Sequence, residues 1–221
     1  MKLTYYGHAC FSAEINGKHI VFDPFITPNE LAKNIDIKNI KADYIFISHG
    51  HEDHVADAIT LAKQTGAKIV SSFEIVTWFN TKGIENAHPM NIGGAWDFDF
   101  GKVKMVKAVH SSVLPDGTYG ANPAGFVFTT AQGNFYYAGD TALTLDMKLI
   151  PMTCEKLDFC ILPIGDNFTM GVDDAVIAAD FVDCDMVVGM HFDTFGFIKI
   201  DHKKAINTFE RSGKDLILFN I

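Results

Sequence analysis

Tyr44-Ile45-Phe46-Ile47-Ser48-His49-Gly50-His51-Glu52-Asp53-His54 runs from an apolar strand directly into a turn that crowds three imidazoles and two carboxylates into six residues. A surface turn needs only Gly, Asn or Asp, so folding alone gains little from this concentration of titratable groups. Metal binding accounts for it better, because neutral imidazole and carboxylate are standard ligands of zinc and related divalent ions. The stretch reads as a buried strand delivering ligands at its carboxyl end, where ligand sites of α/β architectures gather.

Short β-like runs precede it at residues 3–6, 11–15 and 19–22, with Asn16-Gly17 as a two-residue hairpin turn. Residues 43–48 form the strand before the turn, and 53–64 read as a helix closed by Gly66. A strand at 67–70 and a helix at 74–80 follow. The second half repeats the theme: strands at 103–109, 125–130, 134–138, 158–163, 186–190 and 216–219, with helices at 173–181 and 202–211. Hairpins mixed with crossovers in both halves predict two mixed sheets packed together with helices outside, an αβ/βα sandwich. No repeat of 20–50 residues and no Pro/Ser-rich linker divides the chain, so residues 1–221 are expected to form a single domain.

Beyond the turn, His110, Asp140 and His191 also lie just past apolar strands. His49 and His51, one residue apart, can point at one ion, and Gly50 permits the tight path. Asp53 and His54 diverge at a helix start and suit a second position. One ion could take His49, His51 and His110; the other could take Asp53, His54 and His191, with Asp140 bridging. Two ions roughly 3.5–4 Å apart would share a hydroxide that is nucleophilic near neutral pH. Glu52 points away from its neighbours and reads as a solvated carboxylate. Asp23, ending a strand before Pro24, is either a turn residue or a carboxylate that holds a ligand imidazole. His19, His88 and His202 are expected to be exposed.

The 48–54 segment resembles the HxHxDH signature of the metallo-β-lactamase superfamily. His110, Gly139-Asp140-Thr141 and Gly189-Met190-His191 are similar to its later ligand motifs, in the right order, so the resemblance covers nearly the whole chain. Gly7-His8-Ala9 and Leu162-Pro163-Ile164-Gly165 look like those of the small metal-dependent hydrolases related to the ascorbate-phosphate lactonase. The resemblance implies a four-layer sandwich, a dinuclear centre and hydrolysis. It also places His8 close to the metals, where it could orient substrate or donate a proton, so His8 joins Asp53 as a catalytic candidate. Diiron redox members of the superfamily usually carry Glu where this chain has His51, which counts against an iron-dependent redox enzyme.

A net charge of −9 disfavours nucleic-acid or acidic-membrane binding. Two bound divalent cations would reduce it to about −5 and could still draw in a small anion. The four cysteines lack CxxC spacing and read as reduced thiols, and the N-terminus lacks a signal-peptide apolar core. No stretch approaches a membrane span of roughly 20 apolar residues. A cytoplasmic metal-dependent hydrolase of a small, anionic ester, lactone or phosphodiester is therefore expected. Its cofactors would be two divalent ions, zinc foremost, with manganese, nickel or iron compatible with the ligands. The partner is a small-molecule substrate, and homo-oligomerisation is left open. The rivals are the redox enzyme and a non-catalytic metal- or ligand-binding protein. Substrate choice is expected in the segments 114–123 and 192–197.

Overall fold

The computed structural model describes residues 1–220. Alternating side chains and a tight turn start the first sheet. β1 (Lys2–Gly7), β2 (Cys10–Ile15) and β3 (Lys18–Phe22) run antiparallel, and Asn16 (φ 50°) and Gly17 (φ 76°) make the turn between β2 and β3. β4 (Tyr44–Phe46) then joins β3 in parallel. The helices α1 (Glu52–Val55) and α2 (Ala58–Thr65) lead to β5 (Lys68–Ser72), and α3 (Phe73–Thr81) leads to β6 (Ala87–Met90). Spatial order follows chain order from β1 to β6.

The second sheet is built the same way. β7 (Ala95–Phe98), β8 (Gly101–Lys107), β9 (Ala124–Thr129) and β10 (Phe135–Tyr137) are antiparallel neighbours. After α4 (Ile150–Thr153), β11 (Phe159–Pro163), α5 (Val172–Phe181), β12 (Met186–Met190), α6 (His202–Arg211) and β13 (Asp215–Ile217) extend it in parallel. With α2 and α3 on one outer face and α5 and α6 on the other, the architecture is the expected αβ/βα four-layer sandwich.

Alternation along β4 and the residue after it sorts side chains between two cores: Phe46 faces the second sheet, while Ile45 and Ile47 face α2 and α3. Phenylalanine fills the space between the sheets. Phe128 stacks on Phe135 at 4.5 Å, and Phe46 meets Phe126 and Phe128 edge-on at 5.1 and 5.0 Å.

Several elements depart from the sequence reading, the short α4 among them. The helix expected over 53–64 is broken between α1 and α2, because Asp57 turns its carboxylate to the Ile26 and Thr27 amides (2.7 and 2.8 Å). Its own amide bonds the Pro24 carbonyl, so a long-range anchor replaces the local ladder. β6 and β7 were not anticipated: one contains Pro89 and the other is largely exposed at a sheet edge, so neither shows a clean alternation. Of the three remaining histidines, His202 is exposed as expected. His19 and His88 are half-buried, with His88 against Trp96 and Phe98. Among the described residues no helix is long and apolar enough to cross a membrane.

Phe46→Ala removes a ring with no exposed surface from the centre of the inter-sheet core. It is expected to lower unfolding stability by about 3–5 kcal/mol, read from urea denaturation followed by circular dichroism.

Candidate metal centre

The carboxyl ends of β1, β3, β4, β8, β10 and β12 lie along one edge of the sandwich. The residues just past them are His8, Asp23, the 49–54 turn, His110, Asp140 and His191. Three of these turn their side chains inward through left-handed backbone: His8 (φ 57°), Asp23 (φ 41°) and His191 (φ 56°). Such a conformation costs a non-glycine residue roughly 1–2 kcal/mol and persists where the surroundings over-determine it, as at functional sites. Gly139 (φ 60°) lets the chain reach Asp140, since a Cβ there would lie 2.6 Å from Ser48 Cβ. Gly50 is needed for space instead, with Leu114 Cγ and Gly120 Cα 3.1 and 3.2 Å from where its Cβ would stand.

Two groups of ligating atoms form, each within 4.8 Å: His49, His51 and His110 in one, His8, Asp53, His54 and His191 in the other. Asp140 Oδ2 lies between them, 3.5 Å from His110 Nε2, 3.3 Å from His54 Nε2 and 2.9 Å from His191 Nε2. The structure brings together all seven residues singled out for metal from sequence, and it adds His8 to the group of Asp53, His54 and His191. Glu52 belongs to neither group.

Behind them lies Asp23, which has no exposed surface. Its carboxylate accepts from the Ser48 amide (2.7 Å), the Ser48 hydroxyl (2.5 Å), His54 Nδ1 (2.9 Å) and the Tyr137 hydroxyl (2.7 Å). These bonds set two tautomers. His54 gives its Nδ1 proton to Asp23, and His49 gives its Nδ1 proton to Ser48 Oγ (2.9 Å), whose own proton goes to Asp23. Both histidines therefore keep an Nε2 lone pair facing the site. The alternative reading of Asp23 as a mere turn residue fails on these contacts.

Burial holds His49 far below the ordinary imidazole pKa, and lowers His51 and His110 as well, leaving them neutral. Burial would also lower His54, but Asp140, Asp23 and Asp53 outweigh it and raise that pKa well above normal, so without a cation the ring carries a second proton on Nε2, which a bound ion would displace to reach the lone pair. Burial opposes ionisation of Asp140, yet His191 and His54 beside it hold its carboxyl well below the usual range. His8 is pushed down to about 4, by burial first and His191 second. As a neutral ring it donates from Nε2 to Asp53 Oδ2 (2.9 Å) and accepts at Nδ1 from the Thr194 hydroxyl (3.0 Å).

The donor set fits divalent ions. His49 Nε2 and His51 Nδ1 stand 3.0 Å apart, close to the about 3.3 Å separating two nitrogens on one tetrahedral zinc. Asp140 Oδ1 is buried with no hydrogen-bond partner, and His54 Nε2 makes no well-aligned hydrogen bond although Asp140 Oδ2 lies 3.3 Å away, an arrangement that is costly unless a cation or water completes it. The third set of ligating atoms, Asp23, His49 and His54, is already closed by the Ser48 bonds and leaves no such vacancy.

Over the two groups opens a pocket of about 900 Å³. Thr194, Phe195 and Phe197 line it, as expected for the segment after His191. The segment 114–123 does not. It buttresses the turn from behind, with Leu114 buried against Gly50 and Ser112 Oγ joining the Gly50 amide to the Gly120 carbonyl. Phe25, Pro28 and Phe168 line the pocket without having been singled out, because nothing distinguishes them among 19 phenylalanines and 7 prolines.

A family model described as "Beta-lactamase superfamily domain" matches residues 2–191. A protein of Flavobacterium johnsoniae named "UPF0173 metal-dependent hydrolase" is 59% identical over 221 residues, covering 100% of this chain and 97% of that protein. Among solved structures, Igni18, a metallo hydrolase from Ignicoccus hospitalis, superposes with a TM-score of 0.88 at 33% identity, covering 99% of this chain and 94% of that one. CmlA, a diiron β-hydroxylase from Streptomyces venezuelae, has a TM-score of 0.75 at 12% identity over 99% of this chain and 52% of its own, a likeness of fold alone.

Asp23→Asn replaces an acceptor by an amide that can donate to His54 Nδ1 and so favour the wrong tautomer. It is expected to weaken divalent-metal binding about 10–100-fold with the fold retained, as measured by competition with a chromophoric chelator.

Proposed function

The chain belongs to the metallo-β-lactamase superfamily and is a metal-dependent hydrolase, and from that premise we propose that it is a dinuclear enzyme opening a small ester, lactone or phosphodiester. The observation that carries the dinuclear reading is Asp140 Oδ2, within 3.5 Å of an imidazole nitrogen from each of the two ligand groups. His49, His51 and His110 would hold one ion, Asp53, His54 and His191 the other, with Asp140 between them. Zinc is the first choice for so imidazole-rich a set, with manganese, nickel and iron also accommodated.

Divalent ions held there supply Lewis acidity and lower the pKa of water to about 7. The residues of the chain do the rest. Asp23 and Ser48 keep His49 and His54 in the tautomers that offer Nε2. Asp53, a quarter exposed and lining the pocket, is the group placed to pass a proton between water and product. His54 and His8 hold its carboxyl below the usual range against the effect of burial, so it stays ionised between proton transfers. His8 has no exposed surface and works through Asp53: its Nε2–H fixes the carboxylate's orientation, and Thr194 fixes His8 in turn. The free thiols Cys10, Cys154, Cys160 and Cys184 support a reducing, cytoplasmic setting, and a single domain spanning the chain is consistent with the core shared by both sheets.

Elemental analysis of the purified protein is expected to give two metal ions per chain. Stripping them with a chelator should abolish hydrolysis across a panel of esters, lactones and phosphodiesters and lower the thermal midpoint, and re-addition should restore both. Full activity with one ion per chain would overturn the dinuclear reading, and metal-independent or absent hydrolysis would overturn the hydrolase mechanism.

A further inference from the structure

The walls of the pocket differ in chemistry from its floor. The floor is the histidine and aspartate cluster. Above it stand Phe25, Phe195, Phe168 and Phe197, and no lysine or arginine lines the pocket among the described residues. The four rings form two tiers. Phe25, buried, and Phe195, half-buried, lie 6.3 Å apart and both meet His8 edge-on, at 5.5 and 5.3 Å. Phe168 and Phe197 come from two different loops yet meet edge-to-face at 6.2 Å, although they are 49% and 79% exposed.

A soluble protein that leaves two large rings in water at the mouth of a pocket presents an apolar patch of the kind that marks a binding groove. The loop bearing Phe195 and Phe197 is also held in place. Asp193 accepts from the Ile200 amide (3.0 Å) and pairs with His202 (2.6 Å), while Thr194 bonds His8. The rings are therefore presented on a fixed base.

We propose that these four phenylalanines clamp an extended apolar group, so that the substrate is a neutral ester or lactone carrying an alkyl or aryl tail. The tail lies along Phe25 and Phe195 and leaves between Phe168 and Phe197, while the scissile carbonyl sits over the histidine and aspartate cluster. This rests on the hydrolase reading and narrows it, since a phosphodiester or other anion would find no cationic side chain on the walls. The segment after His191 thereby selects for hydrophobicity rather than charge, which revises the expectation of an anionic substrate.

Hydroxamates test the clamp without turnover, because the head group chelates metal and the tail can be varied. With zinc-loaded full-length protein in a calorimeter, octanohydroxamate is expected to bind at least about 30-fold more tightly than acetohydroxamate, given about fourfold per fully buried methylene. In the variant Phe168→Ser/Phe197→Ser the ratio should fall below about fivefold. A wild-type ratio near one overturns the proposal. So does a ratio that survives both substitutions while sedimentation shows them dissociating a dimer, which would make the rings a contact between copies. The two readings fail separately. A lost ratio with metal-dependent ester hydrolysis intact removes only the clamp, whereas an intact ratio without any metal-dependent hydrolysis removes only the hydrolase.

Discussion

A carboxylate without exposed surface is tolerated only where donors surround it, and Asp23 finds its donors on both sheets. Ser48 and His54 belong to the segment leaving β4 in the first sheet, while Tyr137 closes β10 in the second. One buried charge therefore joins the two halves of the sandwich at the edge where the ligands emerge. It also sets one imidazole in each ligand group, His54 directly and His49 through Ser48. Removing any donor would leave part of that charge unsatisfied, so packing of the sheets and orientation of the ligands are coupled through a single side chain. The left-handed backbone at Asp23 is the local cost of aiming it there.

What could be read from sequence follows from how local each signal is. The 49–54 turn is legible because its chemistry is packed into six residues. His110, Asp140 and His191 are legible because each follows an apolar run, and strand ends are where such folds keep their ligands. Asp23 is not decided by sequence, since its partners stand 25, 31 and 114 residues away. The break between α1 and α2 was hidden for the same reason: Asp57 is unremarkable in a helical pattern until it meets the amides of Ile26 and Thr27. The pocket walls were hardest to see. Phe195 and Phe197 follow His191 and so could be expected there, but Phe25 and Phe168 come from two other loops, and in a chain whose interior is itself phenylalanine-rich a substrate-facing ring looks like any core ring.

Floor and walls of the pocket solve different electrostatic problems. Two divalent ions set against Asp23, Asp53 and Asp140 would leave the floor with a net of roughly one positive charge, inside a chain whose overall charge is −9. Such a charge can stabilise a developing oxyanion, and it is the apolar surroundings that give it strength, because interactions weaken as water enters. Phe25 and Phe195 pack against His8 and so exclude water from the side of the cluster where Asp53 is held. Polyanions gain little from this arrangement, as the positive charge is confined to the floor and the outer surface repels them. The same rings that would bind an apolar tail thus keep the local dielectric low around the reacting carbonyl, and binding and chemistry draw on one set of side chains. The ligands sit on strand ends fixed by two sheets, whereas the outer rings sit on loops, so this scaffold can change its substrate by altering Phe168 and Phe197 without disturbing the residues around Asp23.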